Sequence, residues 1–348
     1  EWAALRTRLL AEAATNVASV EAIDSAIFVL SLDVEAPSSI TEVCRCFLHG
    51  TGTDRWLDKS FQLVVSANAK AAVNFEHAWG DGVAVLRFFN EVYAASGALP
   101  QDAAQIPQEA PKPLEWDLPA EVRDAIRGAR ASFDETIAST DLAALETDAL
   151  NSADLKGYRL SPDGMMQMAF QLAHVRMHGF TPSTYESAST AAFKHGRTET
   201  IRSATPEAAA FASAFCDPLQ TTSTKVALMR TAVDNHTRIT RDALMGKGVD
   251  RHLYALQALA AGEGLAPTLF RCQAYAKMSR IILSTSTLAS DALENGGFGP
   301  VNEDCFALGY GIRPYGCRTL VMTYGRDSRG FADCLERAML DMREAAAA

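Results

Sequence analysis

The spacing of apolar and polar positions along the chain predicts its first elements. Over residues 1–24, alanine, leucine and valine recur at the spacing of one amphipathic helix. The apolar run at residues 26–32 predicts a buried strand. Two β-branched runs at residues 61–66 and 71–75 flank a short polar loop and predict a hairpin. A helix is predicted over residues 83–93, soon after the hairpin.

The composition changes in the middle of the chain. Residues 95–117 are rich in proline and poor in apolar side chains, which is typical of a linker or a surface crossing. We therefore place a domain boundary near Pro113. This gives a first domain of residues 1–112 and a second domain of residues 113–348.

Helical and strand patterns are mixed in the second part. Residues 120–138 predict a helix, and the acidic stretch that follows, up to Asp148, has no clear period. Ser161 is a candidate N-cap before Pro162, and the helix that follows to residue 177 is apolar nearly all round, which predicts burial. Further helices are predicted at 206–216, 222–245, 250–262 and 329–346, and strands at 279–287, 306–313 and 319–324. The predicted class is α/β or α+β with mixed sheets.

Composition narrows the classes of partner. The formal net charge of -10 offers no basic surplus to neutralise phosphates, which argues against nucleic acid. The 7 cysteines are scattered without the spacing of a zinc site, so we expect free thiols and no metal. No apolar run approaches the ~20 residues that cross a bilayer. The sequence begins with Glu1 and shows no targeting segment, and we expect it to be part of a longer chain.

One strand-to-helix turn has the pattern of an acid–base site. Residues 74–82 read N-F-E-H-A-W-G-D-G, with His77 after a predicted strand and Asp81 four residues later. A neutral imidazole accepts a proton from a hydroxyl or thiol, and a carboxylate on its other nitrogen fixes its tautomer. Taken alone, the pattern also suits an ordinary surface or core histidine, and Asp81 suits a helix N-cap.

Several other blocks carry a family resemblance. They are D-R-W-L-D-K-S-F at 54–61, T-Y-E-S at 184–187, S-T-A-A-F-K-H-G at 189–196 and R-T-E-T-I-R at 197–202. With them the chain resembles the carnitine/choline acyltransferase family, and within it the mitochondrial long-chain members. The resemblance implies the CoA-dependent acyltransferase fold related to chloramphenicol acetyltransferase, with two domains and a tunnel between them. Of this fold the chain is expected to lack the N-terminal half.

The resemblance implies an enzyme that transfers a long-chain acyl group reversibly between coenzyme A and the hydroxyl of carnitine. It needs no cofactor, because coenzyme A is a substrate. It makes His77 the general base, Asp81 its orienting carboxylate and Ser286, from the S-T-S motif at 284–286, an oxyanion donor. By itself, Ser286 is equally typical of a hydroxyl that satisfies the backbone at a strand end.

The family's carnitine-site motif matches several residues of this chain. A carboxylate suits hydroxyl donors beside an arginine, and an aromatic ring suits a quaternary ammonium group. The matching residues are Tyr185, Ser187, Thr198, Arg251 and, near the ammonium group, Phe298. Without the resemblance, Tyr185 and Thr198 would be ordinary strand residues and Arg251 a surface helix residue.

The acyl and coenzyme A sites follow from the same resemblance. Gly296 stands where a bulky residue closes the acyl tunnel in short-chain members, and each buried CH₂ contributes ~0.8 kcal/mol. The alternative is that Gly296 simply forms a turn. The candidate coenzyme A residues are Ser152, Lys156, Arg159, Ser161 and Asp163. Ser152 replaces a lysine that is usual in the family, and Asp163 also suits the first turn of a helix.

Two alternatives remain at this point. One is a medium- or short-chain carnitine or choline acyltransferase, and the other is an inactive fragment that binds acyl-CoA. By resemblance alone we expect a mitochondrial location, on the matrix side of the inner membrane. A peripheral membrane contact would lie in the missing N-terminal half.

Overall fold

The computed structural model of the chain describes residues 1–97 and 110–348. The described residues form two compact units. The first unit contains Glu1–Trp79 and Phe88–Ser139, and the second contains Gly80–Arg87 and Thr140–Ala348. Each unit combines helices with a mixed sheet, so the predicted class is confirmed.

The predicted linker is only partly described. Its residues 98–109 lie outside the described residues. Residues 113–139 lie in the first unit. The domain boundary that we place after residue 112 stays a prediction.

The first unit contains a three-stranded sheet in the order β1-β2-β3. The strands are β1 (Val29–Leu32), β2 (Phe61–Val65) and β3 (Ala71–Phe75). Strands β2 and β3 are antiparallel, which confirms the predicted hairpin, and β1 runs parallel to β2. The expectation that β1 is buried is wrong, because Leu30 and Leu32 are 52% and 72% exposed while Ser31 is the residue that faces inward.

The helices of the first half depart from the prediction at two points. They are α1 (Trp2–Glu12), α2 (Ala14–Ser25), α3 (Ile40–Leu48), α4 (Gly82–Ser96) and α5 (Ala120–Ala138). The single helix predicted over residues 1–24 is broken at Ala13, whose backbone is extended at φ -154° and ψ 149°. The break is stabilised by Asn16, which donates to the carbonyl oxygen of Leu9 at 2.9 Å. Helix α3 was not predicted, although Ser39 and Glu42 form a capping box at its start.

The second unit is organised around a six-stranded sheet in the order β4-β9-β8-β7-β5-β6. Its strands are β4 (Thr140–Thr147), β5 (Thr184–Ser189), β6 (Thr198–Ile201), β7 (Leu283–Thr287), β8 (Phe306–Arg313) and β9 (Gly316–Tyr324). The central strands β5, β7 and β8 are parallel, and the outer pairs are antiparallel. Strand β4 was not predicted, because acidic residues interrupt its apolar pattern.

Helix α7 lies at the centre of the second unit's core. The helices after α5 are α6 (Ser152–Gly157), α7 (Pro162–His178), α8 (Pro206–Cys216), α9 (Thr222–Leu244), α10 (Asp250–Gly262), α11 (Thr268–Arg271), α12 (Gln273–Ser279) and α13 (Ser328–Ala347). Every residue of α7 from Gly164 to His174 is buried, as the sequence predicts, and α7 packs against α8, α9 and α13. Among the described residues, no helix is both long and apolar enough to cross a membrane.

The first unit contains a buried ion pair between Arg55 and Asp33. Nη1 of Arg55 donates to Oδ1 of Asp33 at 2.9 Å, and Nη2 donates to Oδ2 at 2.6 Å. The two side chains are 0% and 2% exposed. These hydrogen bonds lower the pKa of Asp33. Nη2 also donates to the carbonyl oxygen of Cys46 at 3.0 Å, so one guanidinium connects the end of β1, helix α3 and the turn before β2.

Replacing Arg55 with methionine leaves the Asp33 carboxylate buried without its cation. We expect the first unit to lose about 3–5 kcal/mol of unfolding free energy. Tryptophan fluorescence during urea unfolding measures this unit alone, because all 4 tryptophans lie in it: Trp2, Trp56, Trp79 and Trp116.

The matched control is Arg127→Met on α5 of the same unit. Arg127 pairs with Asp124 at the surface, where the two side chains are 73% and 65% exposed. Such a pair contributes little to stability, so we expect no measurable shift of the fluorescence midpoint. Equal shifts for the two variants would contradict the role assigned to Arg55.

Candidate active site

His77 lies in the bend between β3 and α4, as the sequence predicts. Strand β3 ends at Phe75 and α4 begins at Gly82. The turn is held by local hydrogen bonds: Glu76 accepts from the amide of Ala78 at 2.9 Å, and the indole of Trp79 donates to the carbonyl oxygen of Ser60 at 2.7 Å. The His77 ring is exposed, with its centroid 5.8 Å from that of Phe75. An exposed imidazole at a turn is accessible to a substrate.

Asp81 belongs to the second unit, where Arg197 binds it. Nη2 of Arg197 donates to Oδ1 of Asp81 at 3.0 Å, and Nε donates to Oδ2 at 3.3 Å. Nη2 also donates to the carbonyl oxygen of Gly80 at 3.2 Å. Arg197 was not among the predicted site residues, because nothing in the spacing of the sequence connects it with residue 81. Its guanidinium fixes the Asp81 carboxylate at the start of α4.

Three of the predicted carnitine-site residues meet at the start of α10. Nη2 of Arg251 donates to the hydroxyl oxygens of Tyr185 and Thr198, both at 3.1 Å. Nε of Arg251 donates to the carbonyl oxygen of Thr198 at 3.1 Å. Arg251 is exposed, whereas Tyr185 and Thr198 are half-buried. A cation flanked by two hydroxyls is an arrangement that can bind a carboxylate.

The neighbouring charges explain why Arg251 occupies this position. Asp250 accepts from Nε of Arg202 at 3.1 Å, which ties the first residue of α10 to the end of β6. The Glu199 carboxylate accepts from the backbone amide of Arg251 at 3.3 Å. A Cβ on Gly248 would lie 2.2 Å from Cγ of Glu199, so a glycine is needed for this close approach.

Ser187 and Ser286 lie on the two adjacent parallel strands β5 and β7. Along β5 the buried residues alternate with half-exposed ones, which places Ser187 on the same face as Tyr185. Ser286 is half-exposed near the carboxyl end of β7, opposite Gly309 of β8. Thr285, its buried neighbour, donates to the carbonyl oxygen of Tyr185 at 3.0 Å. The two strands are therefore joined by a side chain as well as by the ladder.

Gly296 and Gly297 lie in a segment that crosses close to β8 and β9. A Cβ on Gly296 would lie 2.8 Å from Cδ1 of Leu288, and one on Gly297 would lie 2.2 Å from Cδ2 of Leu320. A Cβ on Gly309 would lie 2.4 Å from the carbonyl oxygen of Gly296. The glycines thus permit close packing, with Leu288 in the space beside Gly296. Phe298, the next residue along, is half-buried.

The five candidate coenzyme A residues surround the junction between α6 and α7. Ser152 is the first residue of α6, and Lys156 and Arg159 are exposed at its end, with Arg159 at a left-handed φ of 57°. Ser161 accepts from the amide of Gly164 at 3.2 Å, which confirms it as the N-cap of α7. This places two exposed cations beside a helix N-terminus, an arrangement that suits phosphate.

Asp163, the fifth candidate, belongs to a cluster that the sequence did not predict. Nε2 of His236 lies 3.3 Å from Oδ2 of Asp163 and 3.2 Å from Oε2 of Glu186. Tyr310 donates to Oδ1 of Asp163 at 2.6 Å. His236 and Glu186 are buried, and Asp163 has a side chain that is 34% exposed. Glu186 was in view within T-Y-E-S, but no sequence signal connects it with His236.

The pKa values of the cluster follow from burial and mutual charge. Burial lowers the pKa of His236, but the two carboxylates outweigh it and raise this pKa to about 9. Burial raises the pKa of Glu186 to about 7 against the opposing effect of His236. The hydrogen bonds from His236 and Tyr310 outweigh burial and lower the pKa of Asp163. These three groups also have the spacing of metal ligands.

Comparisons with known proteins agree with the blocks found in the sequence. The sequence profile of the family described as Choline/Carnitine o-acyltransferase matches residues 1–337. Carnitine O-palmitoyltransferase 2, mitochondrial, of Macaca fascicularis is 41% identical over 99% of this chain and 54% of its own length. The Bos taurus protein of the same name is 42% identical, with the same two coverages. The inferred resemblance to this family and to these relatives is confirmed.

The matches cover only part of each of these known proteins. The chain spans about half the length of the curated relatives it matches, 54% in each of the two cases above. A solved TRI3 trichothecene 15-O-acetyltransferase from Fusarium sporotrichioides is 11% identical, with a TM-score of 0.49 over 90% of this chain and 76% of that chain.

Changing Gly309 to alanine tests the close crossing at Gly296. The added Cβ meets a backbone oxygen, which cannot rotate away, so we expect a loss of about 3 kcal/mol, at the upper end of overpacking penalties. Thermal unfolding followed by far-UV circular dichroism measures the change.

The control is Gly299→Ala in the same segment. There the nearest atom to an added Cβ is the hydroxyl of Tyr324 at 3.9 Å, an ordinary contact. We expect an unfolding temperature close to that of the unsubstituted chain. A similar loss at both positions would show that the contact with Gly296 is not what limits residue 309.

Proposed function

Because this chain belongs to the choline/carnitine O-acyltransferase family, we propose that its protein transfers long-chain acyl groups reversibly between coenzyme A and the hydroxyl of carnitine. The observation that carries the proposal is the meeting of Arg251 with the hydroxyls of Tyr185 and Thr198. Carnitine has a carboxylate, which this group of donors suits. The relatives named palmitoyltransferase and mitochondrial support a long-chain substrate and a mitochondrial location, for which we propose the matrix side of the inner membrane.

In the proposed carnitine site, one positive charge and several hydroxyl groups bind the substrate. The Arg251 guanidinium and the hydroxyls of Tyr185 and Thr198 hold the carboxylate, and Ser187 extends the same face of β5. Phe298 lies beside the quaternary ammonium group, where cation–π attraction contributes about 0.5–2 kcal/mol. A substrate without a carboxylate, such as choline, leaves Arg251 without its partner.

The proposed reaction needs one base and one oxyanion donor. His77 takes the proton from the carnitine hydroxyl as its oxygen attacks the thioester carbonyl carbon. Ser286 donates a hydrogen bond to the oxyanion of the tetrahedral intermediate. The orienting role of Asp81 stays a prediction, because its carboxylate accepts hydrogen bonds from Arg197. When the intermediate collapses, the C–S bond breaks and the imidazolium returns the proton to the leaving thiolate. The reverse reaction follows the same steps, with the thiol as nucleophile.

The proposed coenzyme A site lies at the junction of α6 and α7. Lys156 and Arg159 meet the nucleotide phosphates, with Ser152 and Ser161 as hydroxyl partners and Asp163 beside them. Since Ser152 is not a cation, this site has one positive charge fewer than the family pattern. We propose that Gly296 borders the acyl chain, where Leu288 can move aside more easily than a bulky residue at position 296.

An acyl-chain profile tests the proposal and separates it from its alternatives. We expect carnitine-dependent release of free coenzyme A, fastest with palmitoyl-CoA and slow with acetyl-CoA or with choline as acceptor. Two proteins are assayed in parallel. One is expressed from the full reading frame that contains this sequence, and the other is the 348-residue chain. Activity with acetyl-CoA alone would overturn the long-chain assignment.

The change His77→Ala, made in the same full-length enzyme, removes the proposed base. We expect kcat to fall by a factor of about 10²–10⁴, with smaller changes in both KM values. His49→Ala is the control, because His49 is another histidine of the first unit and contacts the carbonyl oxygen of Gly50 at 2.8 Å. An unchanged kcat in His77→Ala would end the general-base assignment.

Replacing Arg251 with lysine keeps the charge but removes the planar group that contacts both hydroxyls. We expect the KM for carnitine to rise at least about tenfold, in line with the loss of a charge-assisted hydrogen bond, while the KM for acyl-CoA stays constant. Arg238→Lys on α9 is the control, since Arg238 forms an exposed pair with Asp242. Parallel rises in both KM values would argue against a carnitine-specific role.

A further inference from the structure

The cluster of Asp163, His236 and Glu186 takes no part in the proposed acyl transfer itself, although Asp163 borders the proposed coenzyme A site. His236 and Glu186 are buried, and Asp163 is 34% exposed. His236 lies in the middle of α9, with a side chain that is 2% exposed. Its Nε2 faces one carboxylate oxygen from α7 and one from β5, at 3.3 and 3.2 Å. Among the described residues, these two carboxylates are the charged groups that face His236, and Tyr310 of β8 lies behind Asp163.

Charge balance explains why these groups are found together. Glu186, with a side chain that is 5% exposed, is costly to ionise beside the carboxylate of Asp163 unless a cation lies next to it. An imidazolium between the two carboxylates supplies that cation. Among the described residues, Nδ1 of His236 and Oε2 of Glu186 have no hydrogen-bond partner, so His236 holds Glu186 by charge at 3.2 Å and shares its hydrogen bond with Asp163.

The cluster joins two strands and a helix that carry the proposed ligand sites. Glu186 lies between Tyr185 and Ser187 on β5, with its side chain on the opposite, buried face. Asp163 lies two residues after Ser161, in the first turn of α7. An ion pair through His236 therefore connects the carnitine strand with the helix N-terminus of the coenzyme A site.

Hydrogen bonds continue the connection from the cluster to β7. Gln167 of α7 donates to the hydroxyl of Tyr310 at 3.2 Å and to that of Thr285 at 2.9 Å. Thr285 donates in turn to the carbonyl oxygen of Tyr185, and Ser203 donates to Gln167 at 2.8 Å. The resulting network reaches Thr285, the residue next to Ser286.

We propose that His236 is a positioning residue, a buried imidazolium that holds β5 against the first turn of α7 and thereby couples the carnitine and coenzyme A sites. The coupling rests on the proposed function, whereas the holding of β5 does not. Because the pKa of His236 is raised to about 9, the stability that its positive charge contributes depends on pH. This contribution is complete below pH about 6.5 and is lost as the pH rises through about 9.

The test compares His236→Gln with His174→Gln. His174 is a matched control, because it is equally buried in the same core, its Nδ1 contacts the carbonyl oxygen of Phe180 at 3.0 Å, and its ring packs against His178, Phe180 and Phe306. Burial lowers the pKa of His174 to about 4, so this histidine is neutral where His236 is charged. Both substitutions are expected to lower the unfolding temperature.

Calorimetry with coenzyme A and with L-carnitine at pH 7.5 separates positioning from stability. We expect His236→Gln to bind each ligand at least tenfold more weakly and His174→Gln to bind both within twofold of the unsubstituted protein. Adding Glu186→Gln to His236→Gln removes the unpaired carboxylate and is expected to restore part of the lost affinity. Unchanged binding of both ligands by His236→Gln would overturn the coupling.

Failure of the unsubstituted protein to bind carnitine would overturn the proposed function. Two further measurements need no ligand, so they would still test the positioning role of His236. Nuclear magnetic resonance should show the His236 ring protonated at pH 7.5 and titrating near pH 9. Amide hydrogen exchange over residues 184–189 should be at least tenfold faster in His236→Gln than in His174→Gln. A neutral His236 ring at pH 7.5, one bound metal ion per chain, or equal exchange rates would overturn the positioning role.

Discussion

The burial of α7 on every side is the constraint on which the second unit depends, because each polar side chain of a fully buried helix must find its partner inside the protein. Gln167, Gln171 and His174 are all within 1% of complete burial. Gln167 contacts Thr285 of β7, Gln171 donates to Thr184 of β5 at 2.7 Å, and His174 donates to the carbonyl oxygen of Phe180. A wholly apolar helix could pack in several rotations, whereas these hydrogen bonds fix both its rotation and its position along the sheet.

The same constraint gives the two faces of β5 different roles, one in the core and one in the candidate site. Thr184, Glu186 and Ala188 face the core, while Tyr185 and Ser187 lie on the face where the candidate ligand groups gather. A slip of one residue would exchange the two faces and bury the hydroxyls. The polar contacts of the buried face therefore fix the placement of the half-exposed face, even though no core residue needs to touch a ligand.

The elements of the fold that could be predicted were those with a signal in their own stretch of sequence. The hairpin of β2 and β3, the Ser161 cap and the helices from α8 to α10 follow from period, caps and turn residues, and the structure confirms them. The capping box of α3 was an available local signal that period alone did not reveal. Strand β4 was missed for another reason, since its stability comes from pairing along its whole length with β9, far away in sequence.

The candidate site was likewise predictable only where the signal was local in the sequence. Blocks of sequence pointed to Arg251, Tyr185 and Thr198, and the structure brings Arg251 within hydrogen-bonding distance of the other two. The partners of these blocks were not predictable, because Arg197 reaches Asp81 and His236 reaches Glu186 across long stretches of chain. Such contacts depend on the register of the sheet and the rotation of the helices, which no short pattern specifies.

Two charge clusters among the described residues, one around Arg55 and one around His236, differ in how their charge depends on pH. In the first unit, Arg55 is a permanent cation that faces the buried Asp33 and the partly exposed Asp54, and an arginine does not release its proton in the range of pH where proteins fold. In the second unit, one histidine faces two carboxylates, so full ionisation leaves an excess negative charge in the core. Burial, with the charge of Asp163, raises the pKa of Glu186 to about 7. The first cluster therefore keeps its charge over the range of pH where proteins fold, whereas the charge of the second depends on pH.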